Sequence, residues 1–135
     1  MNDYEAFLEL SEILGLFLVH PKCLDEFAEL IKKDLKGKEA AFFRLLRVQL
    51  GYIVEFRHDI NRVDSHERLK HSGTSLYSIH LRQSQFNIRL IIAFAPDNTP
   101  ALLTTFFERS GKRKTDYSER IQLADARFKE IMKGR

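Results

Sequence analysis

Leu76-Tyr77-Ser78-Ile79-His80-Leu81-Arg82 and Phe86-Asn87-Ile88-Arg89-Leu90-Ile91-Ile92-Ala93-Phe94-Ala95 decide the fold. In the first run Tyr77, Ile79 and Leu81 alternate with Ser78, His80 and Arg82. In the second, Phe86, Ile88, Leu90, Ile92 and Phe94 share one face, and Asn87 and Arg89 lie on the other. A period of two is the signature of β-strands, and the short gap between the runs predicts a hairpin. If Arg82 and Asn87 close a four-residue loop, His80 falls opposite Arg89. Then His80, Arg82 and Arg89 converge on one side of the sheet. A slip of one residue would separate them.

Downstream, Pro96-Asp97-Asn98 predicts a turn, Ala101 to Arg109 a third strand, and Ser110 to Lys114 a basic loop. Asp116 reads as an N-cap with Glu119 as its capping-box partner. The closing helix aligns Tyr117, Ile121, Ala124, Phe128 and Ile131 inward. Upstream, residues 57–75 are polar and basic and read as a connection ending in the Ser72-Gly73-Thr74-Ser75 loop. At the N-terminal end, residues 3–13 predict an extra amphipathic helix through Tyr4, Phe7, Leu8 and Ser11. Leu14 to His20 predicts a strand stopped by Pro21. Lys22 to Lys36 predicts a helix with Leu24, Phe27, Ala28, Ile31 and Leu35 inward. The Lys36-Gly37-Lys38 break ends it, and a second helix from Glu39 carries Phe42, Leu45, Leu46 and Gln49 and weakens near Gly51. The expected fold is α+β over one domain, 1–135. It has a small antiparallel-dominated sheet (an N-terminal strand plus a three-strand meander), an N-terminal helical hairpin and a C-terminal helix.

Composition agrees with one packed domain. Apolar residues make up 44% of the 135, enough for a core. The run from Ile13 to Val19 falls far short of the ~20 residues of a membrane span, and the acidic start lacks the basic region of a signal peptide. One cysteine, Cys23, cannot build a disulfide framework and reads as a buried apolar residue. A cytoplasmic protein is the expectation. Charge is uneven: residues 1–56 carry 7 Lys/Arg against 10 Asp/Glu, and residues 57–135 carry 15 against 9. A basic second half suits a polyanion.

His80, several cations and a tyrosine around one cleft suit phosphodiester chemistry. Cations stabilise charge building on phosphorus, and His or Tyr can move protons. RNA carries its own nucleophile in the 2′-OH, so this route asks for neither a metal nor a cofactor. His66, His71 and Asp64 lack the spacing of a metal site, and Gly111-Lys112 lacks the surroundings of a P-loop.

The hairpin 77–91, the segment Gly111-Lys112-Arg113-Lys114 and Tyr117 ahead of a terminal helix resemble RelE/HigB-type toxins of type II toxin–antitoxin modules. The likeness spans roughly residues 14–133. It implies a RelE-like fold and a ribosome-dependent endoribonuclease that cuts mRNA. It also implies a cognate antitoxin, of helix-turn-helix type, bound in a hetero-oligomer. By the same resemblance Arg89 stabilises the transition state, Arg113 holds the scissile phosphate with support from Arg82, and Tyr117 positions a base. His80 takes acid/base work. Lys70, His71, Arg109, Lys112 and Lys114 would contact RNA. Two departures stand out: Ser78 replaces a lysine of some relatives, and no second histidine near the C-terminus pairs with His80, which leaves acid and base unassigned. Other members of the RelE/ParE superfamily act by binding, as gyrase poisons, or as inactive scaffolds or regulators. That is the alternative reading.

Overall fold

The computed structural model describes residues 3–62, 66–69, 75–84, 86–108 and 113–135. The helices are α1 (Asp3–Leu14), α2 (Pro21–Lys33), α3 (Glu39–Phe56) and α4 (Arg113–Lys133), with a 3-10 segment at Arg57–Arg62. The strands are β1 (Leu18–Val19), β2 (His66–Leu69), β3 (Leu76–Gln83), β4 (Phe86–Phe94) and β5 (Pro100–Phe107). They form one mixed sheet in the order β1-β5-β4-β3-β2, in which only β1 runs parallel to its neighbour β5. The α+β class holds.

Alternation within β3 and β4 splits the core in two. Tyr77, Ile79, Leu81, Ile88, Leu90 and Ile92 face α1, α2 and α3 and join the larger cluster with Phe27, Phe42 and Leu50. Leu76, Ile91, Ala93, Ala101 and Leu103 face α4 and pack with Ala124 and Phe128. Ile121 and Ile131 border that second cluster, as the inward stripe of the closing helix requires.

Several elements depart from the sequence expectation. The strand expected over 14–20 shrinks to Leu18–Val19 because α1 continues to Leu14. In α1, Leu10 is buried and Ile13 and Leu14 line the core, whereas Leu8 and Ser11 are exposed. In α2 the buried face is Cys23, Phe27 and Leu30, rotated from the Leu24/Ala28 stripe because the helix lies on β5. Leu24 stays 50% exposed. The helical hairpin forms, with the Phe27 and Phe42 rings 6.2 Å apart, yet α3 packs chiefly along α1. It also runs through Gly51 to Phe56, since Leu50 and Ile53 are fully buried on either side and tertiary packing overrides the glycine. Residues 57–75, read as a connection, contain the 3-10 segment and edge strand β2, paired antiparallel to β3 from His66–Ile79 to Leu69–Leu76. Asp116 does not cap α4, which already starts at Arg113.

Between α2 and α3, Gly37 takes φ +81° in open space. Leu35 N–H donates to Leu30 O at 3.0 Å and Lys38 N–H to Leu35 O at 2.8 Å, which closes the turn. Gly37→Ala should therefore destabilise the protein by about 1 kcal/mol from backbone strain alone, measured by urea denaturation with an unchanged m-value. Cys23 is fully buried, and burial pushes its thiol well above the ordinary range, with the charge of Glu26 adding to the effect. It is packing, not a nucleophile. Among the described residues no helix is long and apolar enough to cross a membrane.

Candidate functional site

The β3–β4 hairpin adopts the register that the alternation demands. His80 pairs with Arg89 and Arg82 with Asn87, and the ladder runs one pair further, to Gln83–Phe86. By parity His80, Arg82, Asn87 and Arg89 share the sheet face that α4 covers elsewhere. Beyond the apolar stretch under α4, that face turns polar. The change follows from the sequence: the positions in line with Leu76, Ile91 and Ala93 become Ser78, His80, Asn87 and Arg89 toward the hairpin tip.

The polar side chains are locked to one another. His80 Nε2 hydrogen-bonds to Asn87 Oδ1. Asn87 Nδ2 donates to the backbone oxygen of Glu108 at 3.4 Å, and Glu108 N–H donates to Asn87 O at 2.9 Å. With its amide nitrogen turned to Glu108, Asn87 presents its side-chain oxygen to His80. Arg89 Nε donates to Glu108 Oε2 at 2.9 Å and Nη1 to Ser78 Oγ at 3.4 Å. Both members of that ion pair are largely covered, with side chains 17% and 13% exposed. From the far side Thr105 Oγ1 donates to Arg89 O at 2.9 Å, which ties β5 to β4. Arg82 projects into solvent.

Glu108 is the functional candidate that sequence reasoning missed. It follows Phe106, which pairs with Arg89, by two residues. Only the β4–β5 register reveals that it shares the face of Asn87 and Arg89. No local signal pointed to it, because a bulge at Leu103 breaks the period of two along β5. Of the other expected site residues, Arg113, Lys114 and Tyr117 lie in the first turns of α4, but the description of those positions stops at the backbone. Lys70, His71, Arg109 and Lys112 lie outside the described residues. The structure thus brings together His80 and Arg89, sets Arg82 at the edge of the group, and adds Asn87 and Glu108.

No family model, curated protein or solved structure matches this chain. What the site does is therefore read from its own atoms. Within one face stand an imidazole held by Asn87 and a guanidinium held by the Glu108 carboxylate and Ser78. A guanidinium stabilises a phosphorane-like charge, and the imidazole and the carboxylate are proton-transfer groups.

A second polar cluster works differently. Glu26 of α2 accepts from Arg127 Nη1 at 2.7 Å and Nη2 at 3.2 Å, from Arg120 Nη1 at 2.8 Å, from Thr104 Oγ1 at 2.9 Å and from Thr105 N at 3.3 Å. Arg127 Nη1 also donates to Leu103 O at 2.9 Å. β1 pairs only with Ala101 and Leu102, so the edge of β5 beyond them needs other partners. A bulge at Leu103, where Ile91 pairs with Thr104 and Ile92 with Leu102, presents that edge to the helices. Burial alone pushes the Glu26 carboxyl up, but the hydrogen bonds from Arg127 and Thr104, the Arg127 charge and the Thr105 N–H outweigh it and hold it below its ordinary value. The cluster clamps α2 and α4 over the open edge of β5. Both Glu26 oxygens accept from groups of the cluster, while the buried Nε of Arg127 has no hydrogen-bond partner among the described residues.

Proposed function

We propose that this protein is an endoribonuclease of the RelE/HigB toxin type, cutting mRNA by attack of its own 2′-OH on the adjacent phosphate. The observation that carries the proposal is the meeting of His80, Arg89 and Glu108 on one sheet face. In the step, the O2′–P bond forms and the P–O5′ bond breaks, leaving a 2′,3′-cyclic phosphate and a free 5′-OH. Of His80 and Glu108, one takes the 2′ proton and the other returns a proton to O5′, while Arg89 between them stabilises the phosphoryl oxygens. A carboxylate takes the place of the C-terminal histidine that the sequence lacks. The step asks for no metal, because the nucleophile belongs to the substrate and the charge is met by arginine. The family resemblance and the basic second half extend the proposal to ribosome-held mRNA in the cytoplasm and to a helix-turn-helix antitoxin. In that extension Arg82 and Arg113 hold phosphate and Tyr117 positions a base.

One observation favours a second reading, in which the protein acts by binding alone. Arg89 is already held by Glu108 and Ser78, as a purely structural ion pair would be. Mapping of mRNA 5′ ends after brief induction in a translating bacterium separates the two. The expected result is new ends inside translated codons with wild-type protein, absent with folded His80→Ala and Arg89→Ala variants. Growth arrest with intact messages would replace cleavage by the binding reading.

A further inference from the structure

Two exposed helix faces of this chain complement each other. α1 carries Asp3, Glu5, Glu9 and Glu12 and neither Lys nor Arg. Its inner side, through Leu10, Ile13 and Leu14, meets the larger core. On its outer side Glu5, Leu8, Glu9 and Glu12 recur at helical spacing and are exposed. The exposed stripe of α3 runs through Arg44, Arg47, Val48 and Tyr52. Each stripe therefore sets large apolar side chains beside charges of one sign, with Leu8 43% exposed on α1 and Val48 46% exposed on α3. An apolar contact flanked by opposite charges is how amphipathic helices choose partners.

The spacing matches as well as the sign. Laid antiparallel, one helix advances as the other recedes. Setting Leu8 against Val48 then sets Glu12 against Arg44 and brings Glu9 to the level of Arg47. Glu55, the acid that continues the α3 stripe, falls beyond the start of α1 in this register. Within one molecule α1 meets α3 through its inner side, so the two outer stripes meet between molecules. Because they lie on adjoining helices, a single two-fold axis makes both contacts, α1 on α3 and α3 on α1. The dimer leaves the polar sheet face open, since the helices that form it cover the opposite face from His80 and Arg89.

We infer that the protein forms a two-fold dimer in which the glutamate stripe of α1 in each copy lies antiparallel on the arginine stripe of α3 in the other. The inference is independent of the ribonuclease reading. Sedimentation velocity of the full chain from about 1 to 100 μM, the range over which a dimer of micromolar Kd fills, is the first measurement. The mass should rise from 15.8 kDa towards twice that value. Glu9→Lys with Glu12→Lys, and separately Arg44→Glu with Arg47→Glu, set like charges across the contact and should each weaken the dimer at least about tenfold. Mixing the two variants should restore it, because in the mixed pair both contacts again join opposite charges. These positions are exposed and lysine and glutamate are good helix formers, so both variants should keep the wild-type circular dichroism spectrum.

A monomer across that concentration range would overturn the inference and leave the α3 stripe to an acidic helix of another protein. Dimers that survive both charge reversals would overturn it too, as would folded variants that stay monomeric when mixed. Message cleavage by a protein that stays monomeric would strike the dimer and spare the ribonuclease reading. A dimer that obeys the charge swap while messages stay intact would do the reverse.

Discussion

Glu108→Gln should leave the protein folded and reduce RNA cleavage by roughly 10²- to 10⁴-fold, the range that general acid–base groups contribute. Glutamine keeps the size of the side chain and an oxygen able to accept from Arg89 Nε, the 2.9 Å bond of the native pair. It cannot accept or release a proton in the step, so the loss follows whether Glu108 is acid or base. If Glu108 serves only to hold Arg89, the amide retains much of that hold and cleavage falls severalfold at most. Single-turnover cleavage of a translated message, followed across pH, distinguishes the cases. A proton-transfer role removes one limb of the pH profile in the Gln variant, whereas a holding role leaves the shape unchanged. Cleavage within threefold of wild type would exclude Glu108 from the chemistry.

Glu26→Ala should destabilise the fold by about 3 kcal/mol, toward the lower end for breaking a buried ion pair. The lower end applies because Glu26 and Arg120 are partly exposed, at 21% and 33%. Arg127, with its side chain only 6% exposed, would lose its carboxylate and keep only the Leu103 carbonyl as an acceptor. For a domain of this size the expected fall in Tm is roughly 10 °C. Glu26→Gln should cost less, because an amide oxygen can still accept from Thr104 and Arg127.

The pH dependence has a definite sign. Glu26 is held below its ordinary value of 4.5 in the folded protein, so the native state favours the ionised form. That contribution is present above the unfolded value and is lost as pH falls through the folded one. The stability gap between wild type and Glu26→Gln should be widest near pH 7 and close as pH is lowered below about 4.5. Urea midpoints for both proteins at pH 7, 5 and 3.5 test this, and a gap that grew on acidification would contradict the geometry of the clamp.

Much of this was legible in the residues. Tyr77 to Leu81 and Phe86 to Phe94 alternate strictly, and the gap between them admits one short turn. The pairing of His80 with Arg89 followed from local chemistry, because a slip would have buried Ser78 and His80 in the larger core and turned Ile79 and Leu81 toward α4. The inward stripe of α4 through Ile121, Ala124, Phe128 and Ile131 was legible for a similar reason, since a single helix period needs no partner to define it.

Other features had no local signal. Leu14 to His20 is apolar enough for a long strand, yet how much of it pairs depends on how far β5 reaches, and only Leu18 and Val19 find partners. The face that α2 buries was misjudged because Leu24 and Ala28 are as apolar as Cys23 and Leu30. The choice between them is made by β5, whose unpaired edge turns Glu26 inward. Glu108 belongs with His80 and Arg89 only through the β4–β5 register, and that register contains a bulge at Leu103 that no period reveals.

The α+β class, the β3–β4 register and the face on which His80 and Arg89 meet follow from spacing within a few residues. The extent of β1, the clamp of Glu26 on Arg120 and Arg127, and the place of Glu108 are set by long-range packing. Those depend on which groups distant in the chain must satisfy one another once water is excluded.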